Sequence, residues 1–172
     1  MPDYYGTLAG AEAYHVARGN AAWTGEDAVL QAALVRASSF VDGLGTRLPM
    51  PGKAVLAFPG HKVGGRSQLL QWPRAGAIDR NGDAIDPGQV PVEVEYATYE
   101  AALRELTAPG SLRPDFVRAG AVKREKVGPL ETEFFDNSDA GADAVLPVLA
   151  TVDQLLAPLM MRRSLAPAVR VV

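Results

Sequence analysis

Apolar residues recur at helical spacing in four parts of the chain. The first predicted helix runs from about Thr7 to Arg18 and is stopped by the Gly-Asn pair at 19–20. The second follows Thr24, which resembles the first residue of a capping box with Asp27 in the fourth position. Its apolar face advances in steps of three and four residues and consists of Leu30, Leu34, Ala37, Val41 and Leu44. This spacing predicts a helix that is buried on one side.

The third predicted helix begins near Pro91, a residue suited to a first helical position, and ends at about Leu106. Its main apolar stripe consists of Val92, Tyr96, Tyr99, Leu103 and Leu106, and a second stripe beside it of Val94, Ala97 and Ala101. A fourth helix is predicted to open at Thr151, with Gln154 as the fourth residue of a capping box. Arg162 and Arg163 would lie at its C-terminal end, where positive charge suits the helix dipole.

The rest of the chain predicts loops and short strands. Residues 45–89 lack a helical pattern, which predicts a long ordered loop with local strands, one of them over 53–58. Residues 121–136 alternate around Gly128-Pro129, which predicts a β-hairpin or one strand bent at Gly128. The predicted fold is mainly α: a bundle of about four helices within residues 1–163, with a small β-hairpin, a long ordered loop and an extended C-terminal tail, 164–172.

Composition narrows the function classes. The 172 residues include no cysteine, so disulfides, thiol nucleophiles and thiolate metal sites are excluded. The start, MPDYYGTLAG, has neither a basic nor an apolar leader pattern, and no run of about 18 apolar residues occurs. We therefore expect a soluble protein that is made in the cytoplasm and does not contact a membrane.

The charges are distributed unevenly along the chain. Residues 45–80 carry a net charge of +5, and residues 81–107 carry −5. Such polarity is typical of a chain whose basic surface meets the acidic surface of another copy. It is equally compatible with two solvated faces whose charges alternate.

No catalytic or metal-binding constellation is recognisable in the sequence. His15 and His61 stand in different segments without further ligands at metal spacing, and PGHKVGGRS has the wrong residue order for a phosphate loop. DRNGDAID begins like a calcium loop, but Gly82 and Val90 do not fit the later positions, so a turn is predicted. We expect no enzymatic activity and no catalytic, cofactor or metal residues.

Nucleic-acid binding is an alternative that the sequence leaves open. Phe58, Trp72 and six basic residues within 45–80 could supply stacking surfaces and phosphate contacts. The acidic overall balance, the aromatic content of 7% and the lack of a recognisable RRM, OB or helix-turn-helix pattern argue against it.

The central run Leu70-Gln71-Trp72-Pro73-Arg74 carries a family likeness. It lies between an aromatic-x-Gly stretch with a Gly-Arg pair and an acidic-Gly turn, and Val90-Pro91 then opens a helix with Ala97 and Glu100. A preceding helix with Ala37-Ser38 and Asp42 and the later hairpin VKREKVGPLETEFF fit as well. The chain resembles a tailed-phage family whose members are often labelled DnaT-like single-stranded-DNA-binding proteins, many of them encoded among head-tail connector genes.

The resemblance implies a structural head-tail adaptor. Such a subunit is mostly helical and forms a ring of roughly twelve copies between the portal protein and a stopper or tail-terminator protein. Genomic DNA would pass through the ring without sequence-specific contact, and the protein would lie in the virion neck after synthesis in the host cytoplasm. The alternative is a single-stranded-DNA-binding module.

Two groups of residues are candidates for contacts. Trp72, Arg74, Arg66, Glu93 and Glu100 are predicted to be loop anchors or subunit-interface residues, with Arg74 paired to an acid of the third helix. The tail is predicted to bind the portal by adding a strand to it, through Ala166, Pro167, Ala168, Val169, Arg170, Val171 and Val172.

Overall fold

The computed structural model describes residues 3–46, 55–114, 124–127, 130–133 and 147–163. These residues contain four α-helices: α1 (Leu8–Ala17), α2 (Asp27–Gly45), α3 (Val92–Thr107) and α4 (Ala150–Leu156). They also contain three antiparallel strand pairs: β1 (Val55–Ala57) with β6 (Met161–Arg163), β2 (His61–Lys62) with β3 (Arg74–Ala75), and β4 (Arg124–Val127) with β5 (Leu130–Glu133). The fold is mainly α with a small hairpin, β4–β5, as predicted.

α2 and α3 pack against each other at the centre of the core. The predicted face of α2 is the buried one, with Leu34, Ala37 and Val41 fully buried. On α3 the second predicted stripe, Val94, Ala97 and Ala101, is fully buried, and from the main predicted stripe Tyr99 is buried as well. Small side chains on both helices let the backbones approach closely, so the smaller stripe faces the core. Val92, assigned to the main stripe, is 48% exposed, and that part of the prediction is wrong.

The helix starts differ from one another in how they are capped. At α1 the Thr7 hydroxyl accepts a hydrogen bond from the Gly10 amide at 2.9 Å. At α2 the predicted capping box does not form, because Glu26 is the N-cap and makes no side-chain cap bond. Gly25, with φ +150°, turns the chain between Thr24 and that cap, so Thr24 lies too early to reach the helix.

The C-terminal part of the described chain is a helix followed by a strand. α4 ends at Leu156, a 3-10 turn covers Ala157–Leu159, and Met161–Arg163 then pairs with β1. The prediction that Arg162 and Arg163 end a helix is therefore wrong, because Pro158 has no amide for the helical ladder and the next residues find partners in β1. β1 itself confirms the strand predicted over 53–58.

The tail, residues 164–172, lies outside the described residues, so its predicted contacts are not addressed by the fold. None of the helices within the described ranges combines the length and apolarity that a bilayer crossing requires.

Candidate functional site: the arm around Trp72

Residues 55–90 form an ordered connection between α2 and α3, which we call the arm. It is organised by the β2–β3 pair, a 3-10 turn at Gly65–Ser67 and a turn around Asp79. The Asp79 carboxylate accepts hydrogen bonds from the amides of Asn81 at 2.8 Å and Asp83 at 2.9 Å. Gly82 has φ +95°, so the glycine alone supplies the positive φ of this turn. The segment 79–86 is a turn, as predicted.

Trp72 is the largest fully buried side chain of the described residues, with 1% exposure. Its ring meets Phe58 edge to face, with the ring centroids 5.5 Å apart, and its peptide bond to Pro73 is cis. Phe58 in turn lies against the C-terminal end of α2, where its amide donates to the Gly45 carbonyl at 2.9 Å. A side chain at position 45 would place its Cβ 2.0 Å from the Phe58 ring. The glycine therefore admits the aromatic pair to the end of the helix.

A polar network joins Trp72 to the N-terminal segment and to α2. The Trp72 amide donates to the Tyr5 hydroxyl at 3.0 Å, and the same hydroxyl donates to Asp42 Oδ1 at 2.5 Å. Asp42 Oδ2 accepts from the Gln71 amide at 3.1 Å. Burial raises the pKa of Asp42 to about 6, although the hydrogen bonds from Tyr5 and Gln71 act in the opposite direction. One carboxylate thus bonds to two segments that are distant in sequence.

Tyr5 is held at its backbone as well as at its hydroxyl. Its amide donates to the Ser38 hydroxyl at 3.0 Å, and that hydroxyl donates to the Leu34 carbonyl at 2.8 Å. Ser38 and Asp42 are four residues apart and therefore lie on the same face of α2. The N-terminal segment is consequently fixed to α2 at two points, and the arm is fixed to both.

The guanidinium of Arg74 is buried and bonds to oxygen atoms of the arm itself. Its Nε donates to the Pro59 carbonyl at 2.6 Å, its Nη2 to the Gly60 carbonyl at 2.7 Å and its Nη1 to Gln71 Oε1 at 2.9 Å. Burial lowers the pKa of Arg74, and the neighbouring Arg163 lowers it further. The prediction that Arg74 pairs with an acid of the third helix is wrong. Instead, neutral carbonyl groups in the turn between β1 and β2 accept hydrogen bonds from the planar guanidinium.

Comparison of the chain with protein-family models gives a match that covers nearly the whole sequence. The family model described as "Putative DnaT-like ssDNA binding protein" matches residues 2–172. The chain belongs to this family. No curated protein and no solved structure matches the chain.

In this DnaT-like family member, the predicted contact residues fall in separate places. Trp72 and Arg74 lie together within the arm, whereas Arg66 is exposed on the 3-10 turn. Glu93 is half-buried on the first turn of α3. Glu100, further along α3, accepts a hydrogen bond from the Tyr14 hydroxyl at 2.8 Å and so contributes to packing within the subunit. A subunit-interface role for these residues stays a prediction.

Sequence reasoning missed the role of Tyr5 and of its partner carboxylate. The likeness to the DnaT-like family included Ser38 and Asp42, and the structure gives both the same function of binding Tyr5. Tyr5 and Asp42 are 37 residues apart, and periodicity carries no information about contacts across that separation. The one signal in the sequence was Asp42, a carboxylate next to the predicted apolar face of α2.

The described residues of the site attach chain segments to one another. His15 is buried with 1% exposure, its ring lies on that of Trp23 at 4.7 Å, and burial lowers its pKa. Within the described ranges, no group of three or more potential ligand side chains is placed to hold a metal ion.

Proposed function

We propose that the chain is a structural head-tail adaptor of a tailed bacteriophage. Copies assemble as a ring in the virion neck, between the portal protein and a stopper or tail-terminator protein. Genomic DNA passes through the bore of the ring without sequence-specific contact. The likeness to a family with many members encoded among connector genes supports this assignment, and the architecture of the arm supports it independently.

The arm is firmly anchored on its inner side and apolar on its outer side. This observation carries the proposal. Inside, it is held by a buried tryptophan and by a buried guanidinium that bonds to the carbonyls of Pro59 and Gly60. Outside, it presents apolar side chains to solvent: Leu56 is 46% exposed, Val63 53%, Leu69 71% and Ile78 43%. Well-anchored loops with outward apolar residues are suited to contact other proteins. An adaptor needs surfaces of this kind toward each neighbour.

The test is the native mass of the purified chain over a range of concentrations, by mass photometry and analytical ultracentrifugation. The proposal predicts a closed oligomer of roughly twelve subunits with a cyclic appearance in electron micrographs. A species that stays monomeric, and that also fails to form rings on purified portal protein, would contradict it.

The second candidate is a single-stranded-DNA-binding module, which the description of the family favours. Such a module stacks bases on exposed aromatic rings, but Trp72 and Phe58 are each 1% exposed. Fluorescence anisotropy of a labelled oligothymidylate, measured at several salt concentrations, separates the two functions. Binding that weakens steeply with salt and is lost in Arg66→Ala would favour the DNA-binding module. An adaptor should give no such titration.

A further inference from the structure

A cavity of about 500 Å³ lies between the N-terminal segment, the arm and α3. Its apolar part is formed by side chains that include Tyr4, Leu69, Leu70, Trp72 and Val90. Leu69 is 71% exposed, so the cavity has an apolar rim that water covers in the isolated subunit. Burying that rim would remove apolar surface from water, which favours an occupant with aliphatic side chains.

The charged residues that line this cavity are both acidic. They are Asp3 from the N-terminal segment and Glu95 from the first turn of α3. Within the described residues Arg36 forms an ion pair with Glu105, and no described cation pairs with Asp3 or Glu95. Burial raises the pKa of Glu95, so a cation brought beside it would offset part of that cost. The chemistry of the cavity thus suits an aliphatic segment that carries one positive charge.

We propose that the C-terminal segment 164–172 of a second copy docks in this cavity. The segment, SLAPAVRVV, has a single charged side chain, Arg170, between Val169 and Val171. Arg170 lies against Asp3 and Glu95, and the valines cover the apolar rim at Leu69. The positive charge of the segment thus matches the acidic residues of the cavity, and its apolar side chains match the apolar rim.

The length of the segment is compatible with exchange between copies. The described chain ends at Arg163, whose guanidinium donates to the Phe58 carbonyl at 3.2 Å. Nine further residues follow, and an extended segment of that length spans about 30 Å. That reach exceeds the roughly 16 Å radius of gyration expected for a chain of this size, so the segment can extend to an adjoining subunit.

This inference rests on the proposed self-assembly and specifies one contact within it. It assigns the tail a receptor on another copy, whereas the sequence had assigned the tail to the portal. The two assignments are separated by the experiments below.

The first experiment measures a labelled peptide, residues 164–172, on the full-length Arg170→Glu chain, whose own tail is disabled for this contact. Anisotropy should report saturable binding, and adding Glu95→Lys to that receptor should weaken it by about tenfold or more through charge repulsion. A peptide with glutamate at position 170 should show the reverse preference. Glu12→Lys, which changes an exposed acid on α1 away from the cavity, is the matched control and should leave binding unchanged.

The second experiment tests exchange between copies by native mass. Arg170→Glu alone and Glu95→Lys alone should each reduce assembly, whereas an equimolar mixture of the two variants should restore it. In the mixture, the tail of each variant meets a cavity of opposite charge on the other variant, so assembly is restored. Recovery only in the double variant, and not in the mixture, would place the tail in its own subunit and overturn the exchange.

The outcomes also separate this inference from the proposed function. A wild-type ring with no peptide binding to the Arg170→Glu chain would overturn the docking and leave the adaptor standing. Peptide binding to a chain that never forms rings would support the docking while contradicting the adaptor. If Arg170→Glu leaves assembly intact but abolishes attachment to purified portal protein, the docking is wrong and the tail serves the portal.

Discussion

The helical core and the arm are stabilised by different kinds of buried side chain. Between α2 and α3, burial is spread over many small and aliphatic residues such as Leu34, Ala97 and Ala101, each fully enclosed. In the arm it is concentrated in two aromatic rings, Phe58 and Trp72, and in the guanidinium of Arg74. Hydrogen bonds hold the arm in place, from Arg74 to Pro59 within the arm and from the Gln71 amide to the carboxylate of Asp42 on α2. The stability of the core therefore depends on buried apolar area, whereas that of the arm depends on a few specific contacts.

This difference determines how each region should respond to substitution. Loss of a methyl group in the core removes a small part of a large apolar surface, and volume-conserving changes are usually tolerated. Loss of one group in the arm leaves buried donors or acceptors without partners, which costs more per atom removed. Three changes in the arm and one at Asp42, the α2 carboxylate that binds the arm, test this contrast.

The largest effect is expected for Trp72→Ala. Removing a fully buried indole should reduce the free energy of unfolding by about 3 to 5 kcal/mol, measured by urea denaturation. Trp23→Ala is the matched control, because Trp23 is only half-buried and should cost less. Equal losses for the two tryptophans, or an unchanged melting temperature for Trp72→Ala, would show that the arm does not depend on this anchor.

The second prediction concerns pH and the raised pKa of Asp42, about 6 against an ordinary value of 3.8. Between these values the folded chain holds a proton that the unfolded chain has released, so stability falls as pH rises from 4 to 6. The loss attributable to this group is up to about 3 kcal/mol. Unfolding free energies at pH 4, 5, 6 and 7 should show a smaller decline in Asp42→Asn, whose side chain does not titrate. The lowered pKa of His15 acts in the opposite direction, so the difference between the two proteins is the quantity to compare.

The third prediction tests the planar fork of Arg74. Arg74→Lys keeps the charge but cannot reach the Pro59, Gly60 and Gln71 acceptors at once, so it should cost about 2 kcal/mol in unfolding free energy. The exposed Arg66 provides the control, and Arg66→Lys should change stability by less than about 0.5 kcal/mol. Similar losses of unfolding free energy for both variants would mean that a positive charge suffices at position 74 and that the guanidinium geometry is not needed.

The sequence predicted the core better than the arm for a physical reason. Helical burial repeats with a period, so the spacing of Leu30, Leu34, Ala37 and Val41 identified the buried face of α2 directly. The partners of Arg74 are backbone carbonyls and a glutamine, and any residue type can supply a carbonyl, so no pattern indicates them. The Tyr5–Asp42 bond likewise joins positions whose proximity follows from the folded chain. Glu105, a polar residue on the buried face of α3, is explained by its contact with Arg36 at 2.7 Å, which the periodicity did not indicate.

The smallest effect is expected at the turn around Asp79, which the Ile78–Ala84 bridge flanks. Gly82 has φ +95°, and no atom lies within 4 Å of the position that a Cβ would occupy, so Gly82→Ala introduces backbone strain without a clash. The expected loss is about 1 kcal/mol, and Gly82→Asn should lose less because asparagine tolerates positive φ better than alanine does. Thermal melts of the three proteins would check the order glycine, asparagine, alanine. If the alanine protein melted at the same temperature as the glycine protein, the backbone of this turn would tolerate the substitution. The stability of the arm would then depend on the contacts of Trp72 and Arg74 and not on this turn.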